Sequence, residues 1–582
     1  MKRVVTATVL LLLLVLLPGC KSDPTTNVLE IIQTTDVHGN FFSQDLLTGS
    51  PSIGGYSRVQ TYVAGHRRRG DQVLLLDAGD LLQGQPGAYF YNYVDTTAPH
   101  VAMQILNYMQ YDALTVGNHD FETGHSVYDR IVREADFPFL AANAIRVKSD
   151  EDTVSMEPYF QPYTMVEKGD KRIAILGLTM PTLVHQLPKV LWNGIRFDDQ
   201  IETAKRYMPE ILDAHPDLII ALIHSGAGRK EETSPRPYAE NVGYALARAV
   251  PELDLIFCGH DHRSYLDSIV HDGSHTTYIL NPGANGTSLA HVTVDFTAGA
   301  KALRPEIVPL DTVQPQPLFV QNFTPHLNRV RDYVEQHVGT LTAPLDSRSA
   351  FFRPTPFVDL IHEVQMEVFP DAQISITAPL AENTRIPAGE LLVRDLFHLY
   401  KYENRVYLMR LSGEEIRGHL EESYDRIYHT MSGPDAPMLR LDDEKRRGIY
   451  LPLAAPGFNF DTAAGIDYTV DLSKPRGKRV KITALSDGAP FSESENYLVV
   501  LNSYRGNGGG GLLTEGAGIP ADSIASRRVE VSEQDLRYYL RRFLLKNDPY
   551  TPRTISRWTF VPAKWMEVAI PRDSVLLYQD FQ

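Results

Sequence analysis

The first half of this 582-residue chain predicts an α/β architecture, with helices covering a largely β core. Three observations carry that expectation. From about Val28 to Leu310, β-type apolar runs alternate with helical ones. Ala98 to Gln110 and Ile201 to His215 have helical periodicity, and each precedes a β-type run. Five of the β-type runs end in side chains that bind ligands.

The central example is Ala113-Leu114-Thr115-Val116, a short apolar run with β-branched residues, followed by Gly117-Asn118-His119-Asp120-Phe121-Glu122. Glycine at its end lets the backbone turn sharply and approach a ligand. Leu29 to Thr35 runs into Asp36-Val37-His38, and Val73 to Leu76 leads to Asp77-Ala78-Gly79-Asp80. Leu218 to Ile223 ends at His224, and Leu253 to Cys258 ends at Gly259-His260-Asp261-His262. Open α/β sheets bind ligands at the carboxyl ends of their strands. Five such ends would therefore deliver Asp, Asn and His to one rim. Each fragment alone could be a cap, a turn or a core histidine; the repetition is what points to a site.

A chain of this length exceeds a single core and is expected to divide into domains. Its formal net charge of −16 argues against binding nucleic-acid polymers or anionic membrane surfaces broadly. The basic run His66-Arg67-Arg68-Arg69 precedes a strand and is expected to be a solvated helix end. At the amino terminus, Lys2 and Arg3 precede the apolar run Val9 to Leu17, which is shorter than the roughly 20 residues of a membrane span. It has the form of a signal-peptide core over residues 1–20. Leu17, Gly19 and Cys20 resemble the lipobox of bacterial lipoproteins, the alternative being an ordinary secretory signal. Lipidation at Cys20 would anchor the chain to a membrane outside the cytoplasm, periplasmic or surface-facing. It would also leave Cys258 without a disulfide partner, since the chain has two cysteines. Cys258 is expected to pack as a small apolar residue rather than bind a metal.

Residues 28–310 form the expected first domain and 311–344 a linker. Thr324 with Pro325 would cap a connecting helix whose residues 327, 330, 334 and 338 share one apolar face. Residues 345–550 form a second domain mixing helices (356–368 and 414–424) with strands (407–411 and 497–501). After that last strand, Asn502-Ser503-Tyr504-Arg505-Gly506-Asn507 and a run of four glycines suggest either a ligand-contacting loop or a flexible turn. Residues 551–582 are set apart as a tail whose Trp558 and Trp565 could pack back on the core, with no role readable from sequence.

The gathered side chains suit hydrolysis of phosphate esters, which two divalent cations promote by activating water and neutralising phosphoryl oxygens. Asp80 is the candidate bridge. One set is Asp36, His38, Asp80 and His262; the other is Asp80, Asn118, His224 and His260. Mixed imidazole and carboxylate ligands suit Zn, Mn, Fe or Co rather than Ca or Mg.

Asp36-Val-His38, Gly79-Asp80, Gly117-Asn118-His119-Asp120, His224 and Gly259-His260-Asp-His262 resemble the calcineurin-like metallophosphoesterase pattern. The second domain resembles the C-terminal domain of the 5′-nucleotidase family. Within it, Val393-Arg394-Asp395-Leu396, Tyr402-Glu403-Asn404, Phe458-Asn459-Phe460-Asp461 and Asn502-Ser503-Tyr504-Arg505 look most like the 2′,3′-cyclic-nucleotide 2′-phosphodiesterase/3′-nucleotidase branch. The resemblance implies a four-layer β-sandwich flanked by helices, joined to a smaller α/β substrate-binding domain. It implies a nucleotide substrate with its base between Tyr402 and Tyr504, and Asn404 at the base edge. It implies His119 as the catalytic imidazole, with Asn118 supporting the transition state. Glu122 stands where the family usually has an Asp that orients the imidazole. Gly510 holds a position where the 5′-nucleotidase branch usually has an Asp, which argues for the cyclic-nucleotide branch over a 5′-nucleotidase or nucleotide-sugar hydrolase. A non-catalytic nucleotide-binding lipoprotein is the reading from another class, and no protein partner is expected.

Overall fold

The computed structural model describes residues 27–578, apart from 151–152, 233–235, 272, 274, 298–300 and 446–449. The signal-peptide and Cys20 expectations lie outside the described residues.

The first domain is built on two six-stranded sheets. In the first, β1 (Val28–Thr34), β2 (Gln72–Asp77), β3 (Ala113–Thr115) and Phe139–Leu140 run parallel in that order. Ser288–Asp295 pairs antiparallel with the outer side of β1, and Ala302–Pro309 follows it. The second sheet centres on Lys171–Thr179, Leu218–His224, Leu255–Phe257 and His275–Pro282, all parallel, with one antiparallel strand on each edge. Strand periodicity sends alternate residues to opposite faces. Leu29, Ile31, Leu74 and Leu76 thus meet Ile173, Ile175, Leu218 and Ile220 in a dry layer between the sheets. The outer faces are covered by helices, α1 (Tyr56–Arg68) among them on the first sheet and Gln200–Asp213 on the second. The five predicted strand ends therefore come from two sheets, three from one and two from the other, meeting at a shared rim of the sandwich. Cys258 is buried in the apolar layer under the second sheet, where burial pushes its thiol pKa up.

The connecting helix is longer than expected and starts earlier, at Pro317–Val334. Gln316 rather than Thr324 provides the cap, accepting from the Phe319 amide, and Pro317 takes the first helical position. Pro325 sits inside the helix. The new turn adds Phe319 and Phe323 to the buried face with Leu327, Val330 and Val334, while Val338 belongs to the next strand, His337–Leu341.

The second domain carries a five-stranded sheet ordered Thr462–Ala464, Ile374–Thr377, Asn496–Asn502, Arg405–Ser412 and Arg528–Asp535. Val406, Leu408 and Val500 pack with helix Pro356–Val368 on one face; Tyr407, Met409, Leu411, Val499 and Leu501 pack with helix Gly413–Ile427 on the other. The tail packs back on this domain. Arg557–Val561 pairs parallel with Ile466–Asp471, and Trp558 is buried among Tyr424, Phe460, Tyr468 and Phe560. A buried indole of this kind typically contributes about 3–5 kcal/mol. Trp558→Ala should therefore lower the unfolding free energy by about that amount in denaturant titration. A loss below about 0.5 kcal/mol would return residues 551–578 to the status of a tail.

Candidate metal and active site

The rim is locked before any side chain is placed. Asp36 N donates to Gly79 O at 2.8 Å and His38 N to Asp80 O at 3.0 Å, zipping the loops after β1 and β2 together. Gly117 lies so close to Asp80 that a Cβ there would fall 2.1 Å from Asp80 Oδ1. Asp120, not among the expected ligands, accepts four backbone N–H groups: Asp80, Leu81, Leu82 and Gly117, at 2.8–3.1 Å. It ties the β2 and β3 loops into one unit. Nine non-glycine residues among those described have positive φ, and five are the expected ligands Asp36, His38, Asp80, His260 and His262. Such conformations are uncommon for side-chain-bearing residues and mark functional strain.

Those loops bring all seven expected ligands together. Asp36, His38, Asp80 and His262 offer atoms within 4.8 Å of one another, as do Asp80, His224 and His260. Asn118 Oδ1 lies 3.1 Å from His224 Nε2 and 3.0 Å from His260 Nδ1. The outer ring nitrogens of three of the four histidines are engaged. His38 Nδ1 donates to Gln83 O at 3.1 Å, His224 Nδ1 to Ala78 O at 2.7 Å, and His260 Nε2 to Glu240 Oε1 at 2.6 Å. This fixes the tautomers and turns bare nitrogens inward, as in histidines that ligate metals. The inward atoms then face other acceptors: His38 Nε2 and His262 Nε2 are 2.9 Å apart, and His224 Nε2 is 3.1 Å from Asp80 Oδ2. That Asp80 oxygen is buried without a hydrogen-bond partner. Acceptors crowded against acceptors, around an unpaired buried carboxylate oxygen, fit bound cations.

The electrostatics agree. Asp36 and Asp80 are both fully buried, and burial alone would push both pKa values up. Surrounding histidines outweigh it and hold both carboxylates ionised. In the absence of metal, the compensating charge falls on protons. Burial opposes protonation of His224, yet the Asp80 charge raises its pKa to about 9. His38 goes the other way, lowered by burial to about 4, and stays neutral as a ligand must.

His119 stands beside this cluster, its ring 5.5 Å from that of His38. Its amide donates to Asp80 Oδ1 at 2.8 Å, and its Nδ1 lies 2.6 Å from Glu122 Oε2. The longer Glu122 side chain thus reaches the imidazole. Burial would lower the His119 pKa, but the Asp80 charge and the Glu122 bond raise it to about 10.

A cleft of about 670 Å³ opens over the site, lined by His38, His119 and His262 on one side and by Tyr402 and Phe458 on the other. Phe458, not expected as a contact, lies edge-on to Tyr402 at 6.3 Å and to Tyr504 at 6.2 Å. Two buried arginines place these rings. Arg537 donates to Tyr400 O and Lys401 O, and Gln83 of the first domain donates to the same Lys401 carbonyl. Arg505 pairs with Asp461 at 2.7 Å and donates to Phe458 O and Gly509 O. Asn404 does not line the cleft; it is buried, and its amide donates to Tyr400 OH at 3.3 Å. Neighbouring Glu403 is buried too, 3.5 Å from Arg537 Nη1, and burial raises its pKa to about 8. Gly510 has φ +69°, and a Cβ would fall 2.2 Å from Asn459 Oδ1 and 2.4 Å from Arg505 Nη1. No side chain fits that position without displacing the arginine.

The close packing of Gly117 gives a direct test of the rim. Gly117→Ala should displace Asp80 and lower both metal content and phosphoesterase activity, by more than tenfold, while circular dichroism stays native. Full metal content with full activity would show that the Gly117–Asp80 contact is not what sets the site.

Comparison with known proteins agrees with this geometry. Residues 29–264 match the calcineurin-like phosphoesterase family and residues 337–515 the 5′-nucleotidase C-terminal domain. The trifunctional nucleotide phosphoesterase protein YfkN of Bacillus subtilis is 26% identical over 95% of this chain, which spans 40% of that longer protein. A 2′,3′-cyclic-nucleotide 2′-phosphodiesterase/3′-nucleotidase of Haemophilus influenzae is 25% identical over 92% of this chain and 87% of its own. In fold, a Staphylococcus aureus chain solved with alpha-ketoglutarate superposes with a TM-score of 0.74 at 22% identity, covering 92% of this chain and 99% of its own. Calcineurin-like phosphoesterases use divalent metals. The chain belongs to the calcineurin-like phosphoesterases that carry a 5′-nucleotidase C-terminal domain, and is a phosphoric ester hydrolase.

Proposed function

We propose that the protein hydrolyses nucleotides, opening 2′,3′-cyclic nucleotides at the 2′ bond and then removing the 3′-phosphate. The observation that carries this reading is the single cleft in which the histidine cluster faces Tyr402 and Phe458, with Tyr504 beside them. Aromatic faces stack on any base and suit a substrate class rather than one base. Phosphate and base ends of the substrate would thus be held by different domains. The lack of room for a carboxylate side chain at Gly510, together with the Haemophilus relative, supports the cyclic-nucleotide reading over a 5′-nucleotidase. The apolar run Val9 to Leu17, followed by Gly19 and Cys20, supports an enzyme anchored by lipid outside the cytoplasm.

Asp36, His38, Asp80 and His262 would hold one divalent ion, and Asp80, Asn118, His224 and His260 the other, of Zn, Mn, Co or Fe type. Bound there, the ions would supply Lewis-acid activation of water and neutralise charge on the phosphoryl group. The chain's own residues do the rest. Glu122 holds Nδ1–H of His119, leaving Nε2–H to donate to the leaving oxygen. The hydrogen bond that the His119 backbone N–H donates to Asp80 Oδ1 keeps that imidazole in register with the ligand set. Gln83, Ala78 and Glu240 keep the ligating rings from rotating. Each of the two hydrolyses consumes one water.

Steady-state assays with 2′,3′-cyclic AMP, 3′-AMP and 5′-AMP test the assignment, the expected order of kcat/KM placing the first two above the third. A preference for 5′-AMP would transfer the assignment to the 5′-nucleotidase reading. Stacking contributes about 1–3 kcal/mol per base, so Tyr402→Ala or Tyr504→Ala should raise KM for nucleotides about ten- to a hundredfold. Hydrolysis of a small aryl phosphate should hardly change. Equal losses on both substrates would make the tyrosines structural.

His119→Ala should lower kcat by roughly 10²–10⁴ while metal content, measured by elemental analysis, stays that of the wild type. If the metals leave with the activity, the imidazole is a ligand and the leaving group needs another acid.

A further inference from the structure

A second histidine–carboxylate cluster lies away from the catalytic rim. Glu30 is the third residue of β1, whereas Asp36 follows that strand's end, so the two are separated by about 20 Å of extended chain. Beside Glu30 stand His291, on the neighbouring Ser288–Asp295 strand, and His66, from the last turn of α1. The basic run that begins at His66 was expected to be solvated, yet His66 and His291 are both buried. Glu30, His66 and His291 each offer an atom within 4.8 Å of the others, and the two rings are edge-to-face at 4.9 Å.

The outer nitrogens are again held by carboxylates. His66 Nδ1 is 2.9 Å from Asp71 Oδ2, and His291 Nδ1 is 3.0 Å from Glu306 Oε1. Tyr62 OH also lies 3.0 Å from His291 Nδ1. Nε2 of His291 points at Glu30 Oε2, 2.9 Å away, and with Asp71 and Arg69 both against Nδ1 of His66, Nε2 is the nitrogen that His66 has left to offer. Thr293 donates to the same Glu30 oxygen at 2.7 Å, fixing its direction. Carboxylates on the far side of ligating imidazoles are the usual support of bound metal, orienting the ring and raising its basicity. Charge points the same way. Glu30, Glu306 and Asp71 supply three negative charges. Arg69, whose Nη2 lies 2.7 Å from His66 Nδ1 and 3.0 Å from Asp71 Oδ2, supplies the single arginine charge among these contacts. With neutral imidazoles the cluster carries two unbalanced negative charges, the amount one divalent cation cancels.

We propose that Glu30, His66 and His291 form a further divalent-cation site, distinct from the catalytic centre, which pins the end of α1 to the first sheet. Two imidazoles and one carboxylate select zinc-type ions over Mg²⁺ or Ca²⁺. Without metal, the same atoms leave His291 hydrogen-bonded between Glu30 and Glu306, and the experiment separates the two.

Crystals of the wild-type protein soaked in ZnCl₂ should show an anomalous peak about 2.0–2.2 Å from Glu30, His66 and His291 atoms. In solution, His66→Gln and His291→Gln should each lose one zinc equivalent relative to wild type and keep kcat/KM for an aryl phosphate within twofold. Asp71→Asn should weaken zinc binding at this site about 10- to 100-fold. No peak at these residues in the soaked wild-type crystals overturns the proposal, whether or not the variants fold. So does a zinc content in both glutamine variants equal to that of wild type. Neither result bears on the catalytic ligands, whose metals are counted separately by the residual content and activity.

Discussion

The structure depends on two carboxylates, Asp36 and Asp80, buried together and both held ionised. Like charges in a dry site repel, and desolvating each costs several kcal/mol even after relaxation. Nothing in the sandwich core offsets that. The compensation is local, from imidazoles whose protons or bound cations neutralise the pair. Left-handed backbone at five ligand positions adds strain, about 1–3 kcal/mol for each residue of this kind. A site this unfavourable persists only where the surrounding fold over-determines it. The interdigitated layer between the two sheets and the four amides gathered by Asp120 perform that role.

The arrangement divides labour between backbone and side chain. Backbone carbonyls of Ala78 and Gln83 hold ligand histidines, while the backbone amides of Asp80, Leu81, Leu82 and Gly117 hold Asp120. These contacts are made by loops that leave parallel strands, so strand register sets ligand spacing. Leu76 pairs with Ala113 and Asp77 with Leu114, and this register delivers Gly79-Asp80 and Gly117-Asn118 to one level. A slip of one residue would turn every side chain to the opposite face. Such a slip would also take the buried Asp77 carboxylate away from the Thr34 and Tyr56 hydroxyls that donate to it.

Much of this was legible from sequence. The strand-then-ligand repetition marked all seven ligand candidates, because strand period and residue chemistry are both local properties. Helix Pro356–Val368 was expected with those bounds, since Pro356 opens it and its apolar spacing runs to the end. What was not legible came from tertiary partners. Sequence placed the strand ends on one rim without showing that it joins two sheets. The connecting helix was expected from Thr324-Pro325, a strong local start, but Phe319 and Phe323 gain enough burial to carry it past an internal proline. Asp120 was visible in Gly-Asn-His-Asp, yet its role lies in amides up to forty residues away. Where the tail packs was not legible because Trp558 finds its strand partner ninety residues upstream, at Tyr468.

The second domain holds its aromatic rings by the backbone rather than by their own polar groups. Arg537 grips the carbonyls just before Tyr402, and Arg505 grips those of Phe458 and of Gly509 within the glycine run. Both guanidiniums are buried, so each bond is made in a low-dielectric setting and loses little to solvent competition. Tyr402 and Phe458 are left with their surfaces toward the cleft. A slot of this kind reads stacking area and is indifferent to the hydrogen-bonding edge of a base. Discrimination must then come from the span between the slot and the histidine cluster. That span is set where the domains touch, by the Gln83–Lys401 and Tyr89–Asp535 bonds and by Arg537 stacked on Tyr89 and Phe397. Under the proposed function, the position of the phosphate on the ribose is thus selected by domain geometry. It follows that one metal centre can serve different phosphate positions when the contacts between domains change and the ligands do not.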